Sequence, residues 1–164
     1  SIAEKFIAGP EFTVFIVGSY NNEANAVIYT PVGRVFHHSL PEKEKFLSFE
    51  RLWEIYETES SMPNSDNFYE YTLPDITLIE DIKNLSWKAH QSNNGVGYSR
   101  IDIRQDKETK KLYVLEVNAQ CGISEDENFT SIGAILKASR VSFTETVEQI
   151  LIDGITRNRK TKTL

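Results

Sequence analysis

Two acidic residues, Asp102 and Glu116, lie in stretches whose patterning brings them face to face. Tyr98-Ser99-Arg100-Ile101-Asp102-Ile103-Arg104 and Leu112-Tyr113-Val114-Leu115-Glu116-Val117-Asn118 both alternate apolar and polar residues with period two, the pattern of strands with one face on a core. The connection, Asp106-Lys107-Glu108-Thr109-Lys110, is short and polar, so the two read as an antiparallel hairpin. With Thr109 at the centre of the turn, Asp102 lies opposite Glu116 and Arg100 opposite Asn118, all four on one face. Ile101, Ile103, Tyr113, Leu115 and Val117 take the other. Register is the sensitive step, because a slip of one residue in the turn changes which residues oppose each other. Like charges directly opposite on a sheet repel, and a divalent cation would offset that repulsion. Two carboxylates and an amide oxygen are hard ligands suited to Mg²⁺, which keeps several waters and shares its site with a substrate phosphate. Read on their own, the same acids decorate a solvated face and splay into water.

The elements that must position this hairpin can be read in chain order. Ile2-Ala3-Glu4-Lys5-Phe6-Ile7 reads as a strand, Gly9-Pro10 breaks it, and Glu11 to Val17 is a second strand rich in β-branched and aromatic residues. Gly18 to Asn25 is a loop, Ala26 to Thr30 a strand closed by Pro31, and Val32 to His38 a further short strand. Neighbours on a strand point to opposite faces, so His37 and His38 would not reach one ion. Residues 41–74 are the least regular, with a charged run at Pro41 to Lys45 and a surface loop at Pro63 to Asn67. From Pro74 the spacing of Leu78, Ile79, Ile82, Leu85 and Ala89 predicts a helix with Asp75 as N-cap, ending in Gln91-Ser92-Asn93-Asn94-Gly95. Cys121 reads as a small packed residue. An acidic run from Ser124 leads into a helix at Ser131 to Ser139. Ser142-Phe143-Thr144-Glu145 has the form of a capping box opening a helix with Phe143, Val147, Ile150, Leu151 and Ile155 on one face, and Arg157 to Lys162 reads as a solvated tail.

Gly97-Tyr98-Ser99-Arg100-Ile101-Asp102, Leu115-Glu116-Val117-Asn118 and Gly122-Ile123-Ser124 together resemble the metal-binding signature of the ATP-grasp superfamily, in the version carried by D-alanine–D-alanine ligases. The resemblance implies that Asp102 and Glu116 hold Mg²⁺, or Mn²⁺ in its place. Glu116 would bridge to a second ion completed by Asn118, with Arg100 the catalytic residue that stabilises charge on the transferring phosphoryl group. Glu4-Lys5-Phe6-Ile7, a Gly-containing turn and Glu11-Phe12-Thr13-Val14 are similar to the family's adenine hinge. Glu4, Lys5, Phe6 and Ile7 would then lie along the adenine of ATP, and Glu11 would accept hydrogen bonds from the ribose. A strand edge suits adenine because backbone groups pair with the base edge while apolar side chains cover its faces.

The family's fold is α+β: a C-terminal subdomain with a mainly antiparallel sheet and packed helices, here spanning 1–164. No Gly-rich phosphate loop precedes the hinge, so this chain is expected to lack the N-terminal wall of the ATP cleft, to bind nucleotide weakly alone and not to turn over. The activity implied is phosphorylation of a carboxylate by MgATP and attack of an amine on the acylphosphate, with a small amino acid or peptide as substrate. Two positions depart from the family. Phe46 to Trp53 resembles the loop over the ATP phosphates but carries Leu52 where the family has a lysine, with Arg51 one residue earlier. Glu127 and Asn128 stand where a Ser-Leu pair binds a substrate carboxylate, and an acid there would repel it. Leu52 and the missing wall favour a rival reading, a non-catalytic nucleotide or metal-binding module of the same fold.

Composition sets the outer limits. At 164 residues the chain suits one domain with a real core. With 40% hydrophobic and 26% charged residues it is ordinary globular sequence. A net charge of −6 argues against a general nucleic-acid or anionic-membrane binder. The single cysteine excludes an internal disulfide framework. No run has the length of a membrane span and no signal peptide is evident. The expected location is the cytoplasm, with a homodimer allowed.

Overall fold

The computed structural model describes residues 4–47, 67–126 and 130–161. Its centre is β1 (Glu11–Val17), seven consecutive residues all buried. Around it run β2 (Val27–Ile28), β3 (Val32–Phe36), β4 (Tyr69–Thr72), β5 (Tyr98–Gln105) and β6 (Leu112–Asn118), with helices α1 (Ile76–Ser92), α2 (Ser131–Ser139) and α3 (Phe143–Thr161). The strand order is β4-β3-β1-β5-β6, with β2 pairing the end of β1. Every pairing is antiparallel.

Period-two alternation splits β1 between two cores. Phe12, Val14 and Ile16 join Ile101 and Ile103 of β5 and Ile82 and Trp87 of α1. Phe15 and Val17 point the other way, onto Ile132, Ile135 and Leu136 of α2, with Tyr29, Val32 and Cys121. The buried thiol is thus a core residue, and burial raises its pKa.

The helix starts are set locally. Asp75 caps α1 by accepting from the Thr77 N–H at 2.9 Å. Thr130 caps α2 at 3.3 Å, and Ser142 and Glu145 form the reciprocal box at the start of α3, with bonds of 2.8 and 3.1 Å.

Several expectations need correction. Residues 4–10 form no strand. Gly9 has φ +143° and lies so close to β5 that a Cβ would fall 2.1 Å from the Gln105 carbonyl oxygen. Its backbone bonds to the hairpin are those of the Ala8 and Pro10 carbonyls, which accept from the Lys107 and Gln105 N–H groups. Strand β4 lies in the stretch read as irregular. His37 and His38 come after the end of β3, with ring centroids 4.3 Å apart. The buried side of α3 carries Thr146 and Asp153, while Leu151 and Ile155 are 59% and 54% exposed. Polar anchors turned it. Tyr29 Oη donates to Thr146 Oγ1 at 3.2 Å, and Ser19 Oγ donates to Asp153 Oδ1 at 2.8 Å. The supposed tail continues α3 to Thr161. Among the described residues no helix is long and apolar enough to cross a membrane.

Candidate functional site

Residues in register on antiparallel strands share a face, and the pairings of β1 build three rows on one side of the sheet. The first is Arg34, Glu11 and Arg104 across β3, β1 and β5. The second is Thr13, Asp102 and Glu116 across β1, β5 and β6, and the third is Phe15, Arg100 and Asn118. This side is apolar under α2 and becomes charged beyond it. The expected opposition of Asp102 to Glu116 and of Arg100 to Asn118 is present.

Towards the turn the register shifts. Asp102 pairs with Glu116 but Ile103 pairs with Val114, so Leu115 is an extra residue in a β-bulge. Tyr113 stands opposite Arg104 and is therefore not on the Ile101 and Ile103 face as alternation alone predicted, and Leu115 has no cross-strand partner. Val114 stands opposite Ile103, and Leu115 is 49% exposed.

At the acid pair the offsetting charge comes from Arg100. Its Nε and Nη2 donate to Asp102 Oδ1 and Oδ2 at 3.1 and 2.8 Å, and Nη2 also reaches Glu116 Oε1 at 3.3 Å. One guanidinium nitrogen thus stands between two carboxylates. Asp102 is buried, while the Glu116 side chain is 56% exposed. Burial pushes the Asp102 carboxyl up, but the Arg100 and Arg34 guanidiniums outweigh it and hold the pKa low. Thr13 Oγ1 lies near enough to contribute to that lowering, without the geometry of a hydrogen bond. Glu116 is raised by desolvation and by the proton-sharing and negative charge of Asp102. Such a split is how two carboxylates share a site.

The donor set fits a hard cation. Among the described residues no three His, Cys, Asp or Glu side chains group as metal ligands, so a third protein donor beside the two acids would have to be of another type, and the Asn118 amide lies one row away. A cation near Glu116 would relieve the repulsion that raises its pKa.

The hinge candidates lie beside the first row. Glu4, Lys5 and Phe6 are exposed and Ile7 is half-buried. Glu11 is 3% exposed and both its oxygens are taken, Oε1 by Arg34 and Oε2 by Arg104. Arg104 also donates from Nη1 to the Ile7 carbonyl at 3.2 Å and from Nη2 to the Lys45 carbonyl at 2.7 Å. Its guanidinium carbon lies 5.1 Å from the Phe6 ring centroid.

Arg34 and Arg104 are residues that the sequence reading passed over. The signal for Arg104 was period two itself, which places it on the face of Asp102 and Arg100. His90 was also passed over. It is fully buried, with Nδ1 2.7 Å from Ser99 Oγ and Nε2 3.2 Å from the Gly18 carbonyl, and desolvation lowers its pKa. Leu52, Arg51, Trp53, Glu127 and Asn128 lie outside the described residues.

An antiparallel sheet backed by three helices, with an acid pair on its β5–β6 hairpin, defines the C-terminal part of the ATP-grasp fold. The family model described as D-ala D-ala ligase C-terminus matches residues 1–152, and the chain belongs to that family. It is 28% identical over 154 residues to the D-alanine–D-alanine ligase of Bartonella henselae, covering 93% of this chain and 43% of that protein. With the D-alanine–D-alanine ligase of a Marinomonas species identity is 27% over 161 residues, covering 96% and 43%. Among solved structures, the Bacillus anthracis D-alanine–D-alanine ligase complexed with ATP superposes with a TM-score of 0.63 at 16% identity, covering 97% of this chain and 42% of that one. The VanG D-Ala:D-Ser ligase of Enterococcus faecalis gives 0.62 at 12% identity, covering 92% and 37%. These two show the fold. The chain spans less than half the length of the relatives it matches, corresponding to their C-terminal part.

Proposed function

We propose that this domain is one wall of the ATP cleft of a carboxylate–amine ligase resembling D-alanine–D-alanine ligase, the other wall coming from residues outside these 164. The observation that carries the reading is the register of the hairpin, which sets Asp102 against Glu116 and Arg100 against Asn118 on one face. Asp102 and Glu116 would hold Mg²⁺, with Asn118 completing a second ion. Bound there, the metal would neutralise phosphate charge along the path of transfer. Arg100, already lying between the acids, would turn its guanidinium to the transferring phosphoryl group once a cation took over their charge. Glu4 to Ile7 and Glu11 would line the adenosine, and an amino acid or small peptide would supply the carboxylate and the amine. A cytoplasmic location, where ATP and reduced thiols are both present, suits this chemistry.

The test is calorimetry of a nonhydrolysable ATP analogue with Mg²⁺ on the whole gene product, repeated on Asp102→Ala and Glu116→Ala. Metal-dependent binding that both substitutions abolish is expected, and nucleotide binding indifferent to both would defeat the proposal. The second reading, a non-catalytic nucleotide or metal-binding module, rests on Leu52 at the position of the family's lysine. Phosphate release dependent on added amino acids separates ligase from module.

A further inference from the structure

We propose that Arg104 is a built-in occupant of the adenosine cradle, whose guanidinium a nucleotide must displace, so that this residue sets nucleotide affinity. The inference rests on the reading of Phe6, Ile7 and Glu11 as adenosine-binding groups. What the structure adds is that one side chain engages all three. The guanidinium carbon of Arg104 lies 5.1 Å from the Phe6 ring centroid, where a base would stack. Its Nη1 donates to the Ile7 carbonyl at 3.2 Å, a backbone group of the kind that pairs with a base edge. Its Nη2 bonds Glu11 Oε2, the carboxylate assigned to the ribose hydroxyls. A flat cation with several in-plane donors imitates the hydrogen-bonding edge of an adenine and the hydroxyl donors of a ribose at once.

Two further features fit an occupant that leaves rather than a permanent strut. Glu11 keeps Arg34 on its other oxygen, so it remains neutralised when Arg104 departs. Arg104 Nε is buried without a hydrogen-bond partner, so the seated guanidinium is incompletely satisfied. The neighbouring cover is thin. Phe6 is 39% exposed and touches Phe46 edge-on at 6.3 Å between centroids. A ligand that binds only the state with Arg104 withdrawn sees its affinity reduced by the fraction of molecules in that state.

The experiment is calorimetry of MgADP on the whole gene product as wild type, Arg104→Leu and Arg104→Lys. Leu keeps bulk and removes the donors; Lys keeps the charge but cannot make the planar set of contacts. The expected result is binding tighter by about tenfold or more in Arg104→Leu, with Arg104→Lys between it and wild type. Binding in Arg104→Leu that is equal to or weaker than wild type overturns the inference while leaving the cleft reading intact, because the guanidinium is then a bystander or itself a nucleotide ligand. Absence of MgADP binding in all three proteins defeats the cleft reading and this inference with it. Should Arg104→Leu fail to fold by circular dichroism, Arg104→Lys alone must bind about threefold tighter than wild type; no gain there overturns the inference.

Discussion

Two carboxylate–arginine groups lie one row apart on the same face of the sheet, and they differ in enclosure. At the first, Glu11 is gripped by Arg34 and Arg104 with its side chain only 4% exposed. At the second, Arg100 pairs with buried Asp102 and reaches a Glu116 that is 56% exposed. Water decides what each pairing is worth. A charge sealed from solvent depends on its partners for all its solvation, whereas an exposed one exchanges them for water or a ligand at small cost. The open group can serve chemistry directly, and the sealed one must first be opened.

That contrast can be broken by substitution. Glu11→Gln leaves two buried guanidiniums short of charge and should cost about 3–5 kcal/mol, read from chemical denaturation. A loss no larger than that from breaking the second group would make the two equivalent. Asp102→Asn removes the bidentate partner of the less deeply buried Arg100 and should cost about 1.5–3 kcal/mol in the same measurement.

The same substitution has a titration signature. Asp102 is held low, so its stabilising charge persists as pH falls until the pH drops through that lowered pKa. Glu116 is held high, so it protonates first on acidification; the repulsion it suffers when ionised is relieved there, and cation affinity falls with it. Carbon-detected NMR of the carboxyl groups should show the Glu116 pKa dropping in Asp102→Asn, since two of the causes that raise it are gone. An unchanged Glu116 would mean the acids do not sense each other. The smallest effect expected is Glu116→Gln, with stability within about 0.5 kcal/mol of wild type while Mg²⁺-dependent nucleotide binding is lost. A thermal melt and calorimetry with and without Mg²⁺ check both halves.

Much of this was legible from sequence because alternation is strict where one face is buried. Asp102 to Glu116 followed from counting about a turn, and the starts of α1, α2 and α3 followed from Asp75, the acidic run before Ser131 and the Ser142–Glu145 box. The bulge was hidden because its extra residue, Leu115, is apolar and looks like any core position. The packed side of α3 was hidden for the opposite reason. Thr146 and Asp153 are polar, and nothing in their local sequence announces the Tyr29 and Ser19 hydroxyls that meet them. The Asn-Gly run after Gln91 reads as a left-handed helix stop, and the positive φ falls on Asn94. A Cβ at Gly95 would sit 2.2 Å from the His90 ring, so this glycine makes room for a buried imidazole. Arginines on a strand ordinarily suggest solvent, and burial of Arg34 and Arg104 depends on a carboxylate far away in sequence.

The bulge at Leu115 has a consequence for solubility. Among the described residues β6 is an outermost strand, with Val114 and Leu115 both substantially exposed, the profile of a margin onto which a foreign chain could stitch itself. An unpaired residue in mid-strand throws the hydrogen-bonding groups out of step, so an incoming straight segment could zip only a few residues before losing alignment. The irregularity next to the acid pair thereby also discourages aggregation at that margin.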